Sequence, residues 1–187
     1  MKALNVGCGN QPLEDFYNID KYYYPGCDNK NLNVKLAMEF DGIWEYGDAA
    51  KLEYESEYFN EVICVHTLEH LSMDDGNLAI QEMARVLRPG GTCEIEVPDL
   101  EKACKLLQIY PFKPNGDNAR WLRAMGLLYG TTGQDGEGQF HLTGYSKKYL
   151  KFKMEQHDFI DIEEIEVGMG HGKPEPEYNF RLKGIKK

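Results

Sequence analysis

Basic residues are in short supply. The 187-residue chain sets 21 Lys and Arg against 31 Asp and Glu, a formal net charge of -10, and such a surface repels phosphate backbones and anionic membranes over most of its extent. No Arg- or Lys-rich arm breaks this balance, so nucleic acid is not expected as a partner. Cysteine is sparse and scattered: Cys8, Cys27, Cys64, Cys93 and Cys104 are odd in number and show neither paired zinc-ligand spacing nor a disulfide framework. No metal is expected, and reduced thiols in a cytoplasmic protein account for them. No apolar run approaches the ~20 residues of a membrane span. The N-terminus passes directly into its first apolar run with no signal core or cleavage site, so a soluble, unexported protein without membrane insertion is expected. Repeats and low-complexity tails are also missing. With 42% hydrophobic residues the chain can fill one sizeable core, and a single domain over residues 1–187 is expected.

What is present is an alternation of apolar strands and amphipathic helices. The run LNVGCGN at 4–10 stops at Gly7 and Gly9, one residue apart, either as an ordinary turn or as a turn that lets a ligand approach the backbone. Residues 11–17 have room for a turn or two of helix, with Pro12 suited to its first position. FYNID follows as a short strand ending in Asp20, and residues 21–35, with Tyr22, Tyr23 and Tyr24 in a row, read as irregular. A further strand ends at Gly47-Asp48. FNEVICV at 59–65 has the continuous apolar character of a central parallel strand and delivers His66 and Thr67 to the sheet's C-terminal edge, where open α/β folds bind ligands. Ser72 caps a helix whose Ile80, Met83, Ala84 and Leu87 recur at helical period and which Arg88-Pro89-Gly90-Gly91 terminates. TCEIEVPDL is the next strand, with Asp99 capping the helix after it. A helix at 118–129, a glycine-rich stretch at 131–145 of the kind that covers sites, a helix capped by Ser146, and two strands joined by GMGHGKPEP complete the chain. The pattern predicts a doubly wound α/β fold, a mostly parallel Rossmann-like sheet with a C-terminal antiparallel hairpin at its edge.

Several of these stretches, in order, resemble the class I S-adenosylmethionine-dependent methyltransferases: LNVGCGN the family's first motif, NID its second-strand acid, GDAAKL its third motif, FNEVICVHTLEHL its fourth strand and following turn, and RVLRPGG its helix-to-strand turn. The resemblance implies S-adenosylmethionine as cofactor. The backbone at Gly7, Cys8 and Gly9 would then meet its methionine part, Asp20 both ribose hydroxyls and Asp48 the adenine amino group, with Ala49 beside it and His66 bordering the sulfonium. Three departures stand out: Asn5 where the family often has an acid, Asn60 in place of the usual Asp, and no third glycine after Gly9. A looser resemblance, to small bacterial methyltransferases found near polysaccharide-modifying enzymes, points to a small-molecule or saccharide acceptor.

Methyl transfer from a sulfonium needs positioning of the acceptor and, for a hydroxyl or ammonium, a general base. His141 in the late loop is the candidate base, or simply a surface residue; Tyr145 and His66 are the second choices. His70 reads as packing or capping the turn, His157 and His171 as surface residues, and Asp99 as a cap or a substrate acceptor. A nicotinamide oxidoreductase is disfavoured because Pro12 stands where its fingerprint needs a glycine. A non-catalytic binding subunit is the other alternative, motivated by Asn5 and Asn60.

Overall fold

The computed structural model describes residues 1–130, 140–167 and 177–187. Most of the late glycine-rich stretch and the linker holding His171 lie outside them. The elements run β1 (Ala3–Val6), β2 (Phe16–Asp20), α1 (Val34–Glu39), β3 (Ile43–Tyr46), β4 (Phe59–Val65), a 3-10 turn (Leu68–His70), α2 (Met73–Val86), β5 (Leu87–Pro98), α3 (Leu100–Ile109), α4 (Ala119–Tyr129), α5 (Lys147–Gln156), β6 (Phe159–Ile165) and β7 (Asn179–Lys186). The strands form a sheet of order β3-β2-β1-β4-β5-β7-β6. β1 to β5 are parallel, and β7 runs antiparallel to both β5 and β6. This is the doubly wound arrangement expected from the pattern, including the C-terminal antiparallel hairpin at the sheet edge. Within that hairpin β7 lies inside, between β5 and β6, so its Phe180 and Leu182 are buried while β6 takes the exposed edge.

The main core lies where the apolar face of α2 meets the sheet, with Ile80 and Met83 against the strands that carry Leu4, Val62 and Ile95. Ser72 caps α2 by accepting from the Asp75 amide, as its sequence signal indicates. The Arg88-Pro89-Gly90-Gly91 stretch does not form a separate turn. Leu87 ends the helix and already belongs to β5, and Gly90, at φ +78°, bends the extended chain.

The short interval between β1 and β2 forms no helix. A second, smaller cluster is found there instead: Cys8, Tyr23 and Trp44, with Tyr24, Leu36 and Phe40 packed on it, and α1, which starts at the end of the stretch read as irregular, contributes to it. The loop from Gln11 to Asp15 is held by Asn18. Its amide nitrogen donates to the carbonyls of Leu13, Phe16 and Ile43, and its Oδ1 accepts from the Leu13 amide and from Asn5 Nδ2. These bonds fix the orientation of the Asn18 amide, so its oxygen requires a donor from β1. Asn5 supplies one at 3.0 Å, which a carboxylate could not. Asn60 likewise has a local task, accepting from the Lys2 amide at 3.3 Å.

Replacing Asn18 by Ala strands buried backbone groups of three segments and is expected to cost about 2–4 kcal/mol of stability, read from urea unfolding as a lower midpoint at unchanged slope. A loss under about 0.5 kcal/mol would mean that the loop does not depend on this side chain.

Candidate functional site

β1, β2, β3 and β4 end at the same edge of the sheet, and a cavity of about 510 Å³ opens there, lined by residues that include Gly7, Gly9, Asp20, Asp48, Ala49, His66, Thr67, His70 and Leu142. That volume is within the usual range for a small-molecule site. The glycine turn forms its floor. Gly7 (φ +71°) and Gly9 (φ +53°) both occupy the left-handed region, where a β-carbon costs roughly 1–2 kcal/mol. Their surroundings differ. A side chain at Gly7 would overlap Thr67, whereas one at Gly9 would meet nothing within 4 Å. Gly7 lets two strands close up, and Gly9 keeps space open.

The turn has already spent its amide hydrogens. The amides of Gly7 and Cys8 both donate to the Ile19 carbonyl, at 2.8 and 3.0 Å, and the Gly9 amide donates to Asp20 Oδ2 at 2.9 Å. A phosphate needs such donors; the Gly7, Cys8 and Gly9 carbonyls accept from Thr67 Oγ1, the Gln11 amide and the Cys8 thiol in turn, and the second lone pair each keeps suits a ligand that donates or carries positive charge. Asp20 sits at the centre. Its Oδ1 accepts from the Tyr22 and Tyr23 amides as well as Oδ2 from Gly9. Burial pushes its pKa up and these bonds pull it back, leaving it raised. A carboxylate accepts about four hydrogen bonds, so Asp20 has one place left, enough for one hydroxyl rather than two.

Asp48, on the next strand end, bonds the Ala50 amide at 3.0 Å through Oδ1 and Lys21 at 2.7 Å through Oδ2. Lys21 and the local backbone hold its pKa down against partial burial. Ala49 lies beside it on the cavity wall. Cys8 is fully buried in the small cluster and can meet a ligand only through its backbone.

At the other end of the cavity, His66 leaves β4 with φ +52°, an uncommon conformation for a residue other than glycine. Its Nδ1 lies 3.0 Å from Glu69 Oε1 and its Nε2 3.4 Å from Glu96 Oε1. Burial alone would lower its pKa, but the bonds to Glu69 and Glu96 outweigh burial and lift it to about 10. The two carboxylates thus favour the charged ring over the neutral one a general base needs, and the Asn179 side-chain amide also lies 3.1 Å from Nε2. Glu69 is buried, and its pKa is depressed because His66 outweighs the burial.

The segment around His141 docks on this turn. The amides of Leu142 and Thr143 both donate to the Glu69 carbonyl, at 2.7 and 3.1 Å, and Thr143 Oγ1 donates to the Leu71 carbonyl. His141 is thereby brought ring-to-ring with His70, centroids 4.9 Å apart. Burial lowers its pKa, so it is neutral at pH 7, and its Nδ1 meets the Leu127 carbonyl at 2.9 Å, which makes that nitrogen the protonated one. Tyr145 does not join this group. It is buried in the main core, stacked on Tyr149, and is not among the residues lining the cavity. Asp99 caps α3 through the Glu101 and Lys102 amides, and His157 bonds Asn77. Glu69 is what the sequence reading missed, and His70, read there as packing or capping the turn, lines the cavity; the signal was an acid-histidine pair just after the strand that ends at the site.

A family model described as a methyltransferase domain matches residues 4–95. A tRNA (carboxymethyluridine(34)-5-O)-methyltransferase of Arabidopsis thaliana is 30% identical over 96 residues, which make up 50% of this chain and 23% of that protein; the chain thus spans less than a quarter of that relative's length. Among solved structures, a Pyrococcus horikoshii protein matches with TM-score 0.63 at 19% identity, covering 100% of this chain and 82% of that one. A SAM-dependent methyltransferase of Methanosarcina mazei matches with TM-score 0.61 at 15% identity, covering 99% and 92%. The Arabidopsis relative corrects one expectation. Its name is that of a tRNA methyltransferase, so the exclusion of nucleic acid drawn from net charge does not hold; net charge averages over a surface, whereas an acceptor is recognised locally. No helix among the described residues is long and apolar enough to cross a membrane.

The two glycines separate fold from ligand. Gly9→Val is expected to leave the protein folded, with a loss of about 1–2 kcal/mol, while weakening S-adenosylhomocysteine binding at least tenfold in calorimetry. Gly7→Val should lower the melting temperature much further, through the collision with Thr67. Equal behaviour of the two variants would contradict these separate roles.

Proposed function

We propose that the chain, whose residues 4–95 match a methyltransferase domain, is a class I S-adenosylmethionine-dependent methyltransferase, with residues 1–187 acting as one catalytic domain that moves the methyl group of S-adenosylmethionine to an oxygen or nitrogen acceptor. The observation that carries the reading is the glycine turn whose amides are all committed to β2. With no amide to spare it offers little to the pyrophosphate of a dinucleotide, while the second lone pairs of its carbonyls suit the ammonium and sulfonium of this cofactor. The missing helix after β1 works in the same direction, because a nicotinamide cofactor rests its pyrophosphate on a helix N-terminus.

In this reading the carbonyls of the turn take the methionine part, Asp20 accepts one ribose hydroxyl, and Asp48 with Ala49 borders the adenine. The sulfonium faces the end where His66, Thr67 and His70 line the cavity. The leaving group is a neutral thioether, so the electrophile needs little help and the acceptor must be positioned and freed of its proton. His141 is the side chain proposed to activate it, since a neutral imidazole with Nδ1 bonded to a carbonyl keeps a lone pair on Nε2. Leu142, two-thirds exposed on the cavity wall, offers the acceptor an apolar surface. Asn5 and Asn60 have structural partners and no longer favour a non-catalytic subunit. A cytoplasmic setting fits cysteines that are all unpaired.

The acceptor has two readings. A nucleoside in tRNA is favoured by the Arabidopsis relative; a small molecule or saccharide is favoured by the looser resemblance of the sequence. The test is an assay with radiolabelled methyl donor against tRNA, oligosaccharides and small hydroxylated or aminated compounds. Label is expected in one of these classes, and with that acceptor His141→Ala should lower kcat about 10²–10⁴-fold while leaving S-adenosylhomocysteine affinity within a few-fold. An unchanged kcat would remove His141 from the mechanism, and binding of NAD without S-adenosylhomocysteine would remove the reading itself.

A further inference from the structure

Beside the methyl-donor site lies a group of side chains whose arrangement cofactor binding does not explain. One ring nitrogen of His70, one of His141 and a carboxylate oxygen of Glu69 lie within 4.8 Å of one another. Glu69 is only 2% exposed; its Oε1 is taken by His66, and its Oε2 is buried without a hydrogen-bond partner. A buried carboxylate oxygen left without a donor is destabilising unless something fills the place. Each histidine is also held at Nδ1 by a backbone carbonyl. His70 Nδ1 meets the Phe140 carbonyl at 3.1 Å and His141 Nδ1 the Leu127 carbonyl at 2.9 Å, which assigns the proton to Nδ1 and leaves the lone pair on Nε2. Backbone carbonyls hold metal-ligating imidazoles in this way, fixing tautomer and ring angle.

We propose that Glu69, His70 and His141 form a binding site for a divalent transition-metal ion. Two imidazoles and one carboxylate make up a donor set used by catalytic zinc and non-haem iron sites, which leave positions open for water or substrate. Ligand atoms about 2.1 Å from a shared ion sit roughly 3–4 Å apart, so small side-chain rotations close the present spacing. The inference deepens the methyltransferase reading and rests on it only for the ion's role. His70 lines the donor cavity, so an acceptor hydroxyl bound to an open position would be near the sulfonium. Coordination lowers the hydroxyl's pKa and its proton passes to solvent. The oxygen lone pair then forms the new bond to the methyl carbon as the carbon-sulfur bond breaks and its electrons return to sulfur, giving a methyl ether and S-adenosylhomocysteine. His141 would activate the acceptor through the ion rather than by taking the proton itself.

The test needs no acceptor. Protein stripped with chelator is titrated with Zn²⁺ by calorimetry and with Co²⁺ by visible absorption, and S-adenosylhomocysteine binding is measured on the same samples. One ion per chain is expected at micromolar or tighter affinity, with Co²⁺ giving the spectrum of a low-coordinate nitrogen and oxygen site. His70→Ala and His141→Ala, checked for native circular dichroism, should each weaken binding at least tenfold. These two are chosen because Glu69 is buried and its loss could unfold the turn. Absence of stoichiometric binding, or binding unchanged in both variants, overturns the site. S-adenosylhomocysteine binding without the metal would leave the methyltransferase reading standing alone, and the metal without S-adenosylhomocysteine would do the reverse.

Discussion

The carboxylate of Asp20, buried at the tip of β2, holds together everything that defines the cavity floor. It accepts the Gly9 amide from one side and the Tyr22 and Tyr23 amides from the other, so one side chain fixes both the glycine turn and the start of the tyrosine segment. The neighbouring Ile19 carbonyl takes the Gly7 and Cys8 amides. The turn is thereby locked before any ligand arrives, its amides committed and each carbonyl, already accepting one internal donor, left with a second lone pair. That polarity decides which ligands the fold can take: a strand-turn edge of this kind cradles phosphates in other α/β proteins because its amides are free, and here they are not.

The opposite end of the cavity is organised by Glu69. Its backbone carbonyl receives the chain at Leu142 and Thr143, which brings His141 across from a part of the sequence more than 70 residues away, and its side chain pairs with His66. The left-handed conformation of His66 is strain of a kind found at functional sites when surrounding bonds over-determine it; Glu69 and Glu96 supply those bonds. The result is two histidines shifted in opposite directions within one cluster: the bonds to two carboxylates raise His66, and burial lowers His141 against the pull of its bond to the Leu127 carbonyl.

Much of the fold was legible because it follows from local rules: the apolar run of β4, the helical period and Ser72 cap of α2, the Asp99 and Ser146 caps. The insertion of β7 between β5 and β6 was not, since two strands joined by a loop pair with each other under either order. At the site, Gly7, Gly9, Asp20, Asp48, Ala49 and His66 all reach one cavity, as the ordered motifs imply. Tyr145 failed as a candidate because proximity in sequence to His141 says nothing about direction; its ring turns into the core. Glu69 went unread, and His70 reads from the sequence only as packing or capping, for a related reason. An acid-histidine pair in a turn ordinarily faces water, whereas here His66 and the docked segment 140–143 cover Glu69 and leave His70 half-buried. Asn5 shows the reverse, a departure from the family pattern that becomes intelligible once Asn18 is seen to require a donor.

The central claim is that the glycine turn, Asp20 and Asp48 hold one S-adenosyl ligand with its sulfur end toward His66 and His70. A crystal structure with S-adenosylhomocysteine bound tests it most directly. The account predicts the amino acid part on the carbonyls of the Gly7–Gly9 turn, one ribose hydroxyl on Asp20, the adenine beside Ala49, and the sulfur at the end of the cavity nearest His70. Density for the ligand elsewhere, or with its adenine at the His66 end, would contradict it.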